Sequence, residues 1–242
     1  MSSGKTQPGG AQKLTPHRKA RRHCEVVERQ TGGLWIYDMR VKTAATSRPV
    51  ERRIYYFAGG GWQQPPSSQH WKFCAELCRA LGPDTGVSIV SHPLAPLTPA
   101  KQAMPVLRAF YDEVMDQAAS SGHRVVLAGD SSGGNLVLCL ALCALTEAPH
   151  PVEDLAAAKA AASRTAPAAL LLISPAVDLR PMRSEGIYAT TGRNDPVLTI
   201  ASHNAEAEQW AGGADPGEPW LSPINADAGV LAQSGVHVLA VT

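Results

Sequence analysis

The chain has 242 residues, of which 44% are hydrophobic and 18% charged. That length suits one α/β domain with a sizeable core and is short for two, and the balance excludes wholesale disorder. The formal net charge of +1 is unevenly spread, because residues 1–24 carry six Lys or Arg and no acid, leaving 16 basic against 21 acidic residues elsewhere.

In chain order, the basic segment comes first. It has Leu14 as its one large apolar residue and is interrupted by Pro8, Gly9, Gly10 and Pro16. This predicts a solvated, disordered tail over 1–24 rather than a nucleic-acid arm or an amphipathic transit peptide. No apolar core follows the charged start, as secretion would need, so a cytoplasmic location is expected. LWIYDMRV (34–41) reads as a strand, and RRIYYF (52–57) as a second that runs into AGGGW. After the loop QQPPSSQ, Ser67 or Ser68 is suited to N-cap a helix, QHWKFCAELCRAL, which stops at Gly82-Pro83. GVSIVSH is a strand. The next helix carries Leu107, Phe110, Tyr111 and Val114 at helical spacing, with Pro105 placed in its first turn.

RVVLAGD (124–130) is then a strand and SGGNLVLCLALCALTEA a helix. Its apolar run of ten residues is half of the ~20 that cross a bilayer, so it reads as buried and no membrane span is expected. The alanine-rich VEDLAAAKAAASRTAP is a helix or an inserted loop. ALLLISPAVDL and VHVLAVT complete the strands as buried runs. Strands that alternate with helices, each an unbroken apolar run, predict an α/β fold: a mostly parallel sheet with helices on both faces. Residues 25–242 form the domain, with 180–222 as a peripheral, cap-like excursion near the carboxyl edge of the sheet. The pairs Cys74/Cys78 and Cys139/Cys143 lie at i,i+4 without further ligands nearby and read as small buried hydrophobes, so neither a metal nor an organic cofactor is expected.

The stretch LAGDSSGGNLVL (127–138) carries chemistry. A serine hydroxyl is a poor nucleophile unless it is held clear of the backbone, near a base and beside donors for the developing oxyanion. The turn from strand to helix at Ser131 presents it in that way. Gly129 and Gly133 sit where a side chain would collide with the packing of so tight an elbow. The helix begins near Ser132, whose N–H points with the helix dipole toward the same spot. A phosphate loop would need a lysine that does not follow. Upstream, the three glycines of YYFAGGGW leave N–H groups unobstructed at the end of their own strand, which suits a pair of oxyanion donors.

These motifs resemble the hormone-sensitive lipase-like branch of the α/β-hydrolase fold, whose H-G-G-G loop and G-D-S-A-G-G elbow read here as AGGG (58–61) and GDSSGG (129–134). HPLAP (92–96), SPAVDL (174–179) and LSPINAD (221–227) are similar to further family motifs. The resemblance covers residues 50–242. It implies that Ser131 is the nucleophile, that the N–H groups of Gly60, Gly61 and Ser132 form the oxyanion hole, and that small or medium acyl esters are the substrate class. Trp62, with the loop 62–70 and the excursion 180–222, would wall an acyl pocket.

Two departures stand out. Ala58 occupies the position of a loop-fixing histidine, so the glycine loop is expected to be held differently or more loosely. The family's acid and histidine follow the strand that VHVLAVT resembles, and the sequence stops at Thr242 with neither position reached. Among residues downstream of Ser131, His150, His203 and His237 read as surface or packing groups, with Asp178, Asp195, Asp215 and Asp227 as the available acids. Asp130 should face away from Ser131, because successive side chains at a strand end alternate. The expectation is therefore a hydrolase fragment or short gene product without its acid, base, C-terminal strand and helix. The alternative is a non-catalytic small-molecule-binding relative. The oligomeric state is not legible.

Overall fold

The computed structural model describes residues 11–42, 49–146, 166–183 and 198–242. Its seven-stranded sheet has the order β1-β2-β4-β3-β5-β6-β7. The strands are β1 (Cys24–Thr31), β2 (Leu34–Val41), β3 (Arg52–Phe57), β4 (Thr85–Ser91), β5 (Arg124–Asp130), β6 (Ala169–Ile173) and β7 (His237–Val241). β1, β2 and β4 pair antiparallel, and every pairing from β4 through β7 is parallel. Because side chains alternate across a strand, β3 sends Tyr55 and Phe57 to one core and Ile54 and Tyr56 to the other. The first core is covered by α3 (Ala100–Ser121) and α4 (Ser132–Thr146), the second by α1 (Arg18–His23) and α2 (Ser68–Leu81). Helices thus lie on both faces of a mostly parallel sheet, as expected. Two further helices are α5 (Ile200–Ala211) and α6 (Gly229–Gln233).

Local chemistry sets the boundaries. Ser67 caps α2 in a capping box completed by the His70 side chain, and Gly82 ends the helix at φ 81°. Cys74 and Cys78 are buried in the core beneath α2, and Cys139 is buried in α4, while Cys143 is half-buried. Among the described residues no helix is long and apolar enough to cross a membrane.

Four expectations require correction. Residues 11–24 are ordered rather than a disordered tail. Tyr37 Oη takes the Leu14 N–H at 2.6 Å and returns a bond to the Leu14 carbonyl at 3.0 Å, and Ser91 Oγ donates to the Gln12 carbonyl at 2.6 Å. Glu28 pairs with Lys13 at 3.2 Å and Arg21 at 3.6 Å, so distant partners offset the charge that argued for solvation. Next, β1 was not foreseen. Its alternating exposure hides it in an apolar scan, but the Gly32-Gly33 turn, with φ of 55° and 78°, is the two-residue signature of a hairpin.

Pro105 lies in the second turn of α3, not the first. The buried stripe starts earlier, at Ala100 and Ala103, and the exposed proline leaves the Lys101 carbonyl to water. Finally, β7 is exposed along its whole length, so His237 is not on a buried strand. The excursion at 180–222 is described only in part, and most of the alanine-rich stretch lies outside the described residues, as do residues 1–10.

Candidate active site

The carboxyl ends of β3, β5 and β6 converge on one cavity of about 210 Å³, bounded by Gly61, Trp62, Ser131, Ser174, His203 and Glu206. Three non-glycine residues among those described have positive φ: Trp62 (58°), Ser131 (50°) and Ser174 (42°). All three line this cavity. Such backbone conformations cost of order 1–3 kcal/mol each and persist where the surroundings enforce them.

The enforcement at Ser131 is explicit. Its N–H donates to the Ile173 carbonyl at 2.9 Å, and its carbonyl accepts from Asn135 at 3.0 Å and Ala176 at 3.1 Å, which pins the turn between β6 and α4. A Cβ on Gly129 would stand 2.5 Å from the Gly133 backbone, and one on Gly133 would overlap the Phe57 carbonyl. The elbow packs so closely on itself at Gly129, and on the end of β3 at Gly133, that both glycines are steric necessities. Ser132 is the first residue of α4, so its N–H is among those without an intrahelical acceptor. Gly60, with φ 142°, donates its N–H to Ser132 Oγ at 3.1 Å. Of the three amides expected to face an oxyanion, that of Gly60 is thus already engaged with the elbow.

The loop that lacks a histidine at position 58 is held from two other directions. Asp130 turns its carboxylate away from Ser131, as expected from strand alternation, and accepts from the Gly59 N–H at 2.9 Å and Tyr56 Oη at 2.6 Å. His70 Nε2 stands 3.3 Å from the other carboxylate oxygen. Burial pushes the Asp130 carboxyl upward, but the bonds from His70, Tyr56 and Gly59 outweigh it and hold the group below its ordinary range. Burial, reinforced by the bond to Asp130, raises the Tyr56 phenol, which stays a donor. From the opposite side, His92 places Nε2 3.4 Å from the Ala58 carbonyl and Nδ1 2.9 Å from that of Pro93, and burial depresses its proton affinity. His70 and His92 were not foreseen. The visible signal for His70 was its N3 position in the α2 capping box.

Trp62 is nearly fully buried. Its indole N–H donates to Asn135 Oδ1 at 3.3 Å, and its ring stacks on Trp210 of α5, with centroids 6.1 Å apart and planes 9° from parallel. It therefore both walls the cavity and packs against the excursion. α5 carries His203, Glu206, Ala207 and Trp210 at i, i+3, i+4 and i+7, one face of the helix. His203 is 7% exposed, and its Nε2 has no hydrogen-bond partner among the described residues. A Cβ on Gly61 would overlap the Glu206 carboxylate. Neither residue was read as part of the site, because nothing in the sequence shows that α5 folds back onto the glycine loop.

Of the other described acids and histidines, Asp178 alone lines the cavity with Ser131. Asp215 and Asp227 accept from the N–H groups of Gly217 and Gly229 in local turns, at 2.9 and 2.8 Å. Asp178 is clamped by Arg180, whose Nε and Nη2 lie 2.9 and 2.7 Å away, and those bonds hold its carboxyl low. His150 and Asp195 lie outside the described residues. Among the described residues no hydrogen bond joins Ser131 Oγ to a histidine.

Comparison with known proteins agrees with this architecture. The sequence pattern of the alpha/beta hydrolase fold family matches residues 54–240. An acetyl-hydrolase of Streptomyces hygroscopicus is 32% identical over 193 residues, covering 76% of this chain and 56% of its own length. An esterase of Acinetobacter venetianus is 26% identical over 186 residues, covering 76% and 55%. The chain spans about half the length of these curated relatives. Among solved structures, the HSL homolog EstE7 from a metagenome library superposes with a TM-score of 0.67 at 23% identity, over 91% of this chain and 78% of that one.

Proposed function

Because this chain belongs to the α/β-hydrolase fold family, we propose that it carries the nucleophile and oxyanion cradle of a serine carboxylic ester hydrolase for small or medium acyl esters. The observation that carries this reading is the positive φ of Ser131, enforced by bonds to Ile173 and Ala176, at the mouth of a cavity shared with the glycine loop. In the reaction, Ser131 Oγ attacks the ester carbonyl and forms the C–O bond of a tetrahedral intermediate. Its oxyanion is received by the N–H groups of Gly61 and Ser132, with Gly60 joining on release from Ser132 Oγ. Each such donor is typically worth ~3–4 kcal/mol of barrier. Collapse breaks the ester C–O bond, the leaving alkoxide takes through water the proton that Ser131 Oγ gave up, and the acyl group left on Ser131 is then removed by a second water.

Acyl transfer requires a base for the Ser131 proton, and the loss of a catalytic histidine removes ~10⁶ in rate from comparable hydrolases. With no histidine bonded to Ser131 Oγ among the described residues, acylation by this chain is expected to be slow. The same observation, with Ala58, favours a second reading: a relative that binds small esters without cleaving them. Intact mass spectrometry after exposure to p-nitrophenyl acetate separates the two. The hydrolase reading expects one acetyl group on Ser131 and none on the Ser131→Ala chain, whereas acetylation elsewhere, or none after prolonged exposure, transfers the case to the binding reading.

A further inference from the structure

The cavity beside Ser131 carries more charge chemistry than ester cleavage needs. Two carboxylates line it, Asp178 and Glu206, and no Lys or Arg is among the described lining residues. Asp178 is satisfied by Arg180. Glu206, half-buried against Gly61, has neither an ion pair nor a hydrogen bond among the described residues. One helical turn away, His203 lines the same cavity, with its Nε2 buried and without a hydrogen-bond partner among the described residues. A carboxylate beside an oxyanion cradle also opposes the charge that develops there, a penalty that a cation held in the same cavity would cancel.

Resting on the hydrolase-site reading above, we propose that this cavity selects a short ester whose acyl arm ends in a protonated amine, with Glu206 as its counter-charge. A volume of about 210 Å³ limits the arm to a few heavy atoms. Pro175, Val177 and Met182 supply an apolar lining for the methylenes of that arm. An anionic acyl arm meets like charge, and an uncharged one leaves Glu206 unpaired.

The test separates recognition from chemistry by measuring binding to the full-length Ser131→Ala chain. Ethyl β-alaninate and ethyl butyrate differ by an ammonium in place of a methyl, and monoethyl succinate reverses the charge. Titration calorimetry is expected to show ethyl β-alaninate bound about tenfold or more tightly than ethyl butyrate, as a charge-assisted hydrogen bond provides, and monoethyl succinate bound weakest. Glu206→Gln should bring the first two within about twofold. Equal binding of the three esters, or a preference that survives Glu206→Gln, overturns the proposal. Binding preference without acylation of Ser131 in the unmutated chain would remove the hydrolase reading and leave this one. Acylation without preference would do the reverse.

Discussion

The glycine loop lies between two carboxylates that do opposite work. Asp130, beneath it, is fully engaged by the Gly59 N–H, Tyr56 Oη and His70. Glu206, across the loop at Gly61, has no partner among the described residues. Both are partly buried, so desolvation penalises both, and only the first recovers that cost from the protein's own donors. The difference marks Asp130 as a strut and leaves Glu206, on the proposed reading, as the group that a ligand would meet.

Three substitutions sharpen or break that contrast. The largest effect is expected for Gly133→Ala, which drives a methyl into the Phe57 carbonyl and separates the elbow from the loop on which both carboxylates act. A loss of about 4 kcal/mol or more is expected, read as loss of the cooperative thermal transition. A variant that melts like the parent would show that the elbow is looser than its geometry requires. Asp130→Asn should come next, with a loss of about 1–3 kcal/mol as Gly59 and Tyr56 lose a charged acceptor, or roughly 2–4 °C in Tm per kcal/mol for a chain of this size.

The pH dependence of that loss has a definite sign. The folded Asp130 carboxyl is held below its ordinary value, so its contribution is complete above the usual carboxylate range and disappears as pH falls through the folded value. The gap in Tm between parent and Asp130→Asn should therefore be widest near neutrality and close in acid. A gap independent of pH would deny Asp130 its role as a charged strut. The smallest effect is expected for Glu206→Gln, within about 0.5 kcal/mol, because the protein has invested no bond in that carboxylate. A Tm loss as large as that of Asp130→Asn would erase the distinction between the two groups.

Much of this arrangement was legible in the sequence where the cause is local. The tight turn at Ser131 follows from glycines two residues on either side, the α2 cap from Ser67, and the alternation of Asp130 from its place at a strand end. What the sequence hid depends on partners distant along the chain. Residues 11–24 read as part of a solvated tail because their partner Glu28 and their anchor Tyr37 belong to other elements. His203 read as a surface or packing group, and Glu206 drew no reading, because the path that returns α5 to the glycine loop is not written in the periodicity of α5. Ala58 suggested a looser loop, yet Asp130, His70 and His92 supply the restraint from three separate segments.

The stacked indoles of Trp62 and Trp210 have a mechanical consequence. Glu206 and Trp210 ride on one helical face, so on the proposed reading a guest paired with Glu206 would also draw on Trp210 and, through the stacked ring, on Trp62 beside Gly61. The fit of the guest and the set of the glycine loop would then move together, as two ends of a single lever.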